Sequence, residues 1–590
     1  GLTLSELTED HYLTPVNNWA KKNKTQFRSQ TYGFPPVRLS SNRLVAQAEG
    51  EGAHWRKFTS TRWASSANHL YQRTVTSAES WTWLHQGAFK AIPLDVKAEA
   101  DMLMLQGVNQ FIAHGWPYSP PEAGKPGWAL YAAAVFNDSN PWWTVMPDLN
   151  RYLQRMSFLL RQGQPVTDIA IYLPQEDAFS NMEPGHASIN ENMHKYVTDN
   201  LMAEVLNAGY NADFIDAESL DAALKNYRVL ILPKVRYITP EAYKKILSFA
   251  QSGGFVIAVD RIPKLAPGFI DAVKNTQEVK AISEKLFSQN GKTKGIGYKT
   301  DEKNLGKQLN ALVPADVSGI TSELGFIHRK VNNSNIYFIA NTSNTRITRS
   351  LKFREDKAQG QWWDARTGEV REWPKTPITL APYESRIVVF DSTIKPAIKQ
   401  KAGPTEISLT NTQPKILNKG WNLSFGNEKT IPITQFQSWN EMPDKQFYSG
   451  TATYSLSLDL SEADINAGIT QLNMGDGIPV PPLEGYQPGM RALLTPPMRD
   501  AAEVFVNGKR AGSIWSAPFK LNLAAHLHPG KNTLEIRIAN TAINSLAQHP
   551  AADYTALNQK YGERFKPQNM NNLKPLPSGI LIAPVLEKAQ

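Results

Sequence analysis

The sequence predicts a multidomain chain of α/β plus β class: a partial (β/α)8 barrel, an open α/β domain, a small β-sandwich and a C-terminal jelly-roll sandwich. Three observations predict it. The chain has 590 residues, more than one hydrophobic core can serve. Over residues 1–160, short apolar runs alternate with stretches of helical period. Beyond residue 316 the apolar period falls to two, with Gly, Asn and Pro turns between the runs.

Within 1–160, the strand candidates are 27–32, 44–49, 74–79 and 108–114. Segments 63–72 and 94–106 fill the gaps, with apolar residues recurring at steps of three and four. Strands that alternate with helices imply a parallel sheet, and barrel enzymes place their sites at the C-terminal strand ends. Four such units are visible where a closed barrel needs eight. The expectation is the second half of a barrel, with the first half upstream. Residues 161–315 carry buried-type strands at 168–173, 228–232 and 255–259, followed by a Lys-rich helical appendage at 266–315. Residues 316–395 read as a small sandwich, with strands at 336–340 and 386–390 and a turn at 364–368. A Lys/Pro/Thr-rich linker covers 394–415. Residues 416–590 alternate again at 447–458, 502–506 and 533–538, with an Asn507-Gly508 hairpin turn.

Composition narrows the function. Cysteine is absent, which removes disulfides, thiol nucleophiles and cysteine-ligated zinc. That is compatible with a bacterial periplasmic, outer-surface or secreted protein. No run approaches the ~20 apolar residues of a membrane span. No signal peptide opens the chain, and its first residue is Gly, so it reads as processed or truncated. The net charge is +9, but the 63 Lys and Arg are spread along the chain and do not trace a nucleic-acid footprint. An anionic polysaccharide is compatible with that charge. Fifteen Trp and twenty Tyr include Trp81-Thr82-Trp83, Trp116-Pro117-Tyr118 and Trp142-Trp143. Aromatic faces of this kind stack on sugars, although β-rich proteins also use them as core anchors.

Glycoside hydrolysis needs two carboxyl groups flanking the scissile bond. Glu79 ends an apolar β-branched run and precedes Ser80-Trp81-Thr82-Trp83, so it is the first catalytic candidate, with Trp81 beside it. Glu49 and Glu51 sit in a Gly-rich strand end. They are candidates for a catalytic partner, for gripping sugar hydroxyls, or for holding a hard cation such as calcium. Arg28, Gln30 and Tyr32 alternate along one strand and so share its inward face, and Asn109, His114 and Trp116 are expected to do the same on the last strand. The polar loop at 137–143 is either a cleft wall or a capped helix start. There is no phosphate-cradling loop, no zinc-protease motif and no nucleophile elbow.

The runs RSQTYGFP (28–35), AEGEG (48–52), RWASSANHLY (62–71), SAESWTW (77–83), GVNQFIAHGWPYSP (107–120) and FNDSNPWW (136–143) resemble the family 106 glycoside hydrolases. The 165–265 region is similar to the amidotransferase-like domain found after galactosidase barrels. YSGTATY (448–454) and AEVFVNGKRAG (502–512) resemble a galactose-binding-type sandwich. The resemblance implies a bacterial α-L-rhamnosidase acting on plant or algal polysaccharides or on rhamnosylated glycosides. It implies inversion, with acid and base about 6.5–9.5 Å apart, and a calcium ion near the sugar. Glu79 would be the general base, and Glu49 or Glu51 would lie at the sugar or the calcium. The general acid would come from a mid-barrel strand upstream of Phe27, since Glu6, Glu9 and Asp10 follow no strand. The alternatives are another barrel glycosidase, of β-galactosidase or glucuronidase type, and a non-catalytic carbohydrate-binding protein.

Overall fold

The computed structural model describes residues 1–83, 89–116, 118–124, 132, 137–183, 185, 187–288, 296–356, 359–374, 377–393, 413–482, 491–548, 553–562 and 573–589. The linker expected over 394–415 lies outside them except for its last three residues.

The chain opens with two helices, α1 (Leu2–Thr8) and α2 (Thr14–Lys22), joined by a π-helical turn at Glu9–Leu13. A parallel sheet follows: β1 (Arg28–Ser29), β2 (Gln47–Glu51), β3 (Ser77–Ser80) and β4 (Gln110–Ala113), hydrogen-bonded in that order. Helix α3 (Ser60–Leu70) connects β2 to β3, α4 (Pro93–Met104) connects β3 to β4, and α5 (Met146–Leu160) follows. Thr59 caps α3 by accepting the Arg62 amide, and Pro93 opens α4 where no amide donor is needed. The strand–helix alternation therefore holds, but the strands are shorter than the apolar runs. Strand β2 also runs past Glu49 to Glu51. Gly50 allows this: a Cβ there would meet the Thr61 backbone at 2.4 Å, so only glycine lets α3 lie so close.

The second body is a five-stranded parallel sheet of order β10-β9-β8-β6-β7. Its strands are β6 (Ile169–Tyr172), β7 (Ala212–Ile215), β8 (Val229–Pro233), β9 (Phe255–Val259) and β10 (Tyr298–Thr300). β6 to β8 are buried throughout, as covered parallel strands require. The 266–315 segment is not purely helical: it holds helices Ala272–Phe287 and Leu305–Leu312, but β10 lies between them and extends the sheet.

Two-residue strand β5 (Gln164–Pro165) precedes this body yet pairs with Arg329 and Lys330 of the third. There, Leu324–Val331, Ser334–Asn341 and Ser385–Asp391 form the middle of an antiparallel sheet. In the fourth body, Thr451–Leu460 pairs with Gly530–Ala539 over ten residues, and the Ala501–Val506/Lys509–Ile514 hairpin extends that sheet. A second sheet, containing Ile469–Asn473 and Val585–Lys588, shares its core.

The loop at 137–143 resolves as a helix start and not as a cleft wall. Trp142 is fully buried, and its indole donates to the Ala91 carbonyl at 3.0 Å. The Trp142 amide donates to Asn540 O at 3.0 Å and Asn140 Oδ1 accepts the Ala542 amide at 3.0 Å, which clamps the last sandwich against the first sheet.

Candidate active site

Register brings the acidic residues together. Glu51 on β2 lies opposite Glu79 on β3, and Ser80 lies opposite Ala113 on β4, so His114 falls just beyond the same sheet end. Gln30 and Tyr32 follow β1 at that end. Glu79 is half-buried, with three donors on its carboxylate. Gln30 Nε2 donates to Oε2 at 2.7 Å, the Thr82 hydroxyl donates to Oε1 at 2.8 Å, and His114 Nδ1 lies 3.0 Å from Oε1. The Tyr32 hydroxyl donates to Gln30 Oε1 at 2.8 Å, which fixes the amide so that its NH2 faces Glu79.

Glu51 has a different environment. Burial pushes its carboxyl above the usual range, and the negative charge of Glu79 pushes the same way, with His114 and the Tyr32 hydroxyl opposing. Burial and the charges of Glu51, Glu79 and Glu49 likewise keep the Tyr32 phenol protonated far above its ordinary value. Glu49 is 7% exposed and ion-paired through Oε2 to Arg28 Nε at 3.3 Å. The pair lacks hydrogen-bond geometry, and Glu49 Oε2 accepts no hydrogen bond.

Two expected substrate contacts are not in this group. Asn109 precedes β4 and sits at the opposite end of the sheet. It is 2% exposed and fully used in tying that end of the sheet together: Nδ2 donates to Thr74 O at 2.8 Å and to Leu160 O at 3.2 Å, and Oδ1 accepts the Thr76 amide at 3.0 Å. Trp81 is 4% exposed. Its φ of 64° turns the chain out of the strand, sending the indole to the Val96 carbonyl at 3.1 Å and the ring against Phe111 at 5.8 Å. Its faces are spent on the core. Trp116 is exposed and meets Trp143 edge to face at 5.3 Å.

Two participants were not singled out from sequence. Thr82 lies inside the aromatic run and was overshadowed by its Trp neighbours. Glu99 reads as an ordinary polar position on α4, yet it is buried and accepts from the Trp81 amide and the Trp83 indole. Glu9, one of the acidic residues near the start, is 4% exposed and bound by Arg38, Arg43 and Ser41. It is a structural ion-pair partner.

For calcium, Glu51 and the undonated Glu49 Oε2 are donors of the right chemistry. Among the described residues, however, no group of three or more His, Asp or Glu side chains converges on one point. The pair fits as part of a hard-cation site, which needs six to eight oxygens in all.

A family model described as alpha-L-rhamnosidase of glycoside hydrolase family 106 matches residues 40–374. The chain belongs to that family. The matched span takes in Glu49, Glu51, Glu79 and His114, while Gln30 and Tyr32 precede it. A Formosa agariphila protein carrying a provisional beta-glucuronidase name is 26% identical to this family 106 chain over 437 residues, 70% of the chain and 35% of that protein. The solved structure of a rhamnosidase from Novosphingobium sp. PP1Y superposes with a TM-score of 0.73 at 20% identity, over 98% of this chain and 55% of that one. The chain thus spans about a third of the first relative and little more than half of the second. Among the described residues no helix is long and apolar enough to cross a membrane.

Proposed function

We propose that this family 106 chain serves an inverting α-L-rhamnosidase, acting on rhamnose-bearing polysaccharides or glycosides, with Glu79 as general base. The observation that carries the reading is Glu79 at the strand end, oriented by Gln30, Thr82 and His114. Glu79 takes a proton from water, and that water attacks the anomeric carbon on the face opposite the leaving oxygen. Tyr32, Trp116 and Arg28 border the sugar.

Burial and the Glu79 charge raise the Glu51 carboxyl, which makes it a candidate for the acid. It lies beside Glu79, on a strand about 4.8 Å away, rather than across a water-filled gap of about 6.5–9.5 Å. It therefore serves the sugar hydroxyls, and the acid that protonates the leaving oxygen comes from outside the described residues. Calcium belongs to the same proposal: Glu49 and Glu51 would contribute to holding it, where it would bind sugar hydroxyls. Exhaustive chelation should release about one calcium per chain and raise KM; unchanged metal content and KM would remove calcium from the proposal. A periplasmic, outer-surface or secreted location is also proposed, in keeping with the cysteine-free sequence.

A retaining β-glycosidase is the second reading, favoured by the side-by-side register of Glu51 and Glu79. Hydrolysis of α-L-rhamnosides and not of β-D-galactosides or β-D-glucuronides should separate the two readings. Proton NMR of the first product then tests inversion: an α-L-rhamnoside should yield β-L-rhamnose first, and the α-anomer first would overturn the inverting reading.

A further inference from the structure

Glu99 lies on α4, beneath the end of β3, and is 6% exposed. Neither of its oxygens faces solvent or a cation in the manner of a surface carboxylate. Oε1 accepts the Trp81 backbone amide at 2.6 Å and Oε2 accepts the Trp83 indole N–H. The two donors bracket Thr82, whose hydroxyl holds Glu79 Oε1 at 2.8 Å. The turn so gripped is strained, because Trp81 sits at φ 64°, a region that a bulky residue occupies only when its surroundings enforce it. The core enforces it through the Trp81 indole on Val96, its ring on Phe111, and the Glu99 carboxylate on its amide.

Resting on the reading of Glu79 as general base, we infer that Glu99 is a positioning residue for it: its ionised carboxylate clamps the 81–83 turn and thereby sets the Thr82 hydroxyl on Glu79. A buried carboxyl that accepts two N–H donors has a natural place for its negative charge and none for an added proton. Burial pushes the Glu99 carboxyl up to about 7, against the two donors, which pull it down; the charges of Glu51 and Asp95 push it further up. When the proton binds, one oxygen becomes a hydroxyl facing an N–H donor, and that half of the clamp opens. The turn relaxes and Thr82 leaves Glu79. Activity therefore falls on the acid side as Glu99 protonates, with Glu99 acting through Thr82.

The test uses the full-length protein, p-nitrophenyl α-L-rhamnoside, and the variants Glu99→Gln and Glu99→Asp. Glu99→Gln should lose kcat by about 10- to 100-fold, the scale of a misplaced catalytic group, with KM within about two-fold. Its acid limb near pH 7 should disappear, because the amide does not titrate. Glu99→Asp keeps the charge and should retain an acid limb. In the wild type, tryptophan fluorescence should titrate with the same midpoint as kcat, and this measurement holds even if the Gln variant fails to fold. A Glu99→Gln enzyme with wild-type kcat and pH profile would overturn the inference. So would a kcat loss of equal size at every pH with the acid limb intact, which marks a merely structural role. Glu79→Gln separates the layers: if it is inactive while Glu99→Gln behaves as wild type, only the clamp fails; if Glu79→Gln is active, the general-base reading fails as well.

Discussion

At the scale of single residues, the two facing carboxylates differ because their neighbours differ. Glu79 has an amide, a hydroxyl and an imidazole turned toward it, whereas Glu51 faces burial and the Glu79 charge. Three donors on Glu79 suit it to accept a proton, and the raised Glu51 carboxyl beside it does not share that role. His114→Ala removes one of three contacts on Glu79, so kcat should fall about 10-fold, a fraction of the 10²–10⁴-fold that general-base catalysis supplies, with stability unchanged by thermal melting. The acidic pair was legible in sequence because an apolar β-branched run that ends on a carboxylate marks a strand tip. Trp81 and Glu99 were not. A positive φ is invisible to a period-two pattern, and it moves Trp81 from the cleft to the core. A glutamate on a helix reads as a solvated position until the fold places two indole-bearing residues over it.

At the scale of elements, strand polarity decides which polar residues are functional. Asn109 and His114 lie at the two ends of one apolar run, five residues apart, so alternation alone cannot place both on the inward face. Hydrogen bonding starts β4 at Gln110, which leaves Asn109 at the opposite end of the sheet and His114 at the site. Asn109→Ala orphans the Thr76 amide and takes a donor from the Thr74 and Leu160 carbonyls, so it should cost about 1–3 kcal/mol of stability while KM stays at the wild-type value; a changed KM with unchanged melting would return Asn109 to the site. The short helix Gln175–Ser180 makes a second test. Burial pushes the Glu176 carboxyl up to about 8, with the charges of Glu218 and Asp177 adding to the effect and hydrogen bonds from backbone and Gln175 opposing it. Below its ordinary value of 4.5, folded and unfolded chains both hold the proton. As pH rises from there toward 8, the unfolded chain releases the proton and the folded chain keeps it, so stability falls with pH. Glu176→Gln removes that penalty: its melting temperature should exceed that of wild type at pH 8, with the gap closing toward pH 5.

At the scale of the whole molecule, the sequence carries shifts of apolar period along its length, but the long-range pairings between sheets are not visible in it. β5 leaves the first body and joins the third body's sheet before the second begins. The Trp142 and Asn140 loop belongs to the contact with the last sandwich. Such exchanges depend on long-range pairing, which a local period does not encode. They also rigidify the sheet whose ends carry Gln30, Glu51, Glu79 and His114, and a site of this kind must hold its groups to within about 0.5 Å. Every proposed step runs through Glu79, and the most direct measurement is steady-state hydrolysis of p-nitrophenyl α-L-rhamnoside by Glu79→Gln in the full-length protein. Its kcat should be lower by about 10²–10⁴-fold, with wild-type circular dichroism and melting; turnover within a few-fold of wild type would exclude Glu79 as the general base.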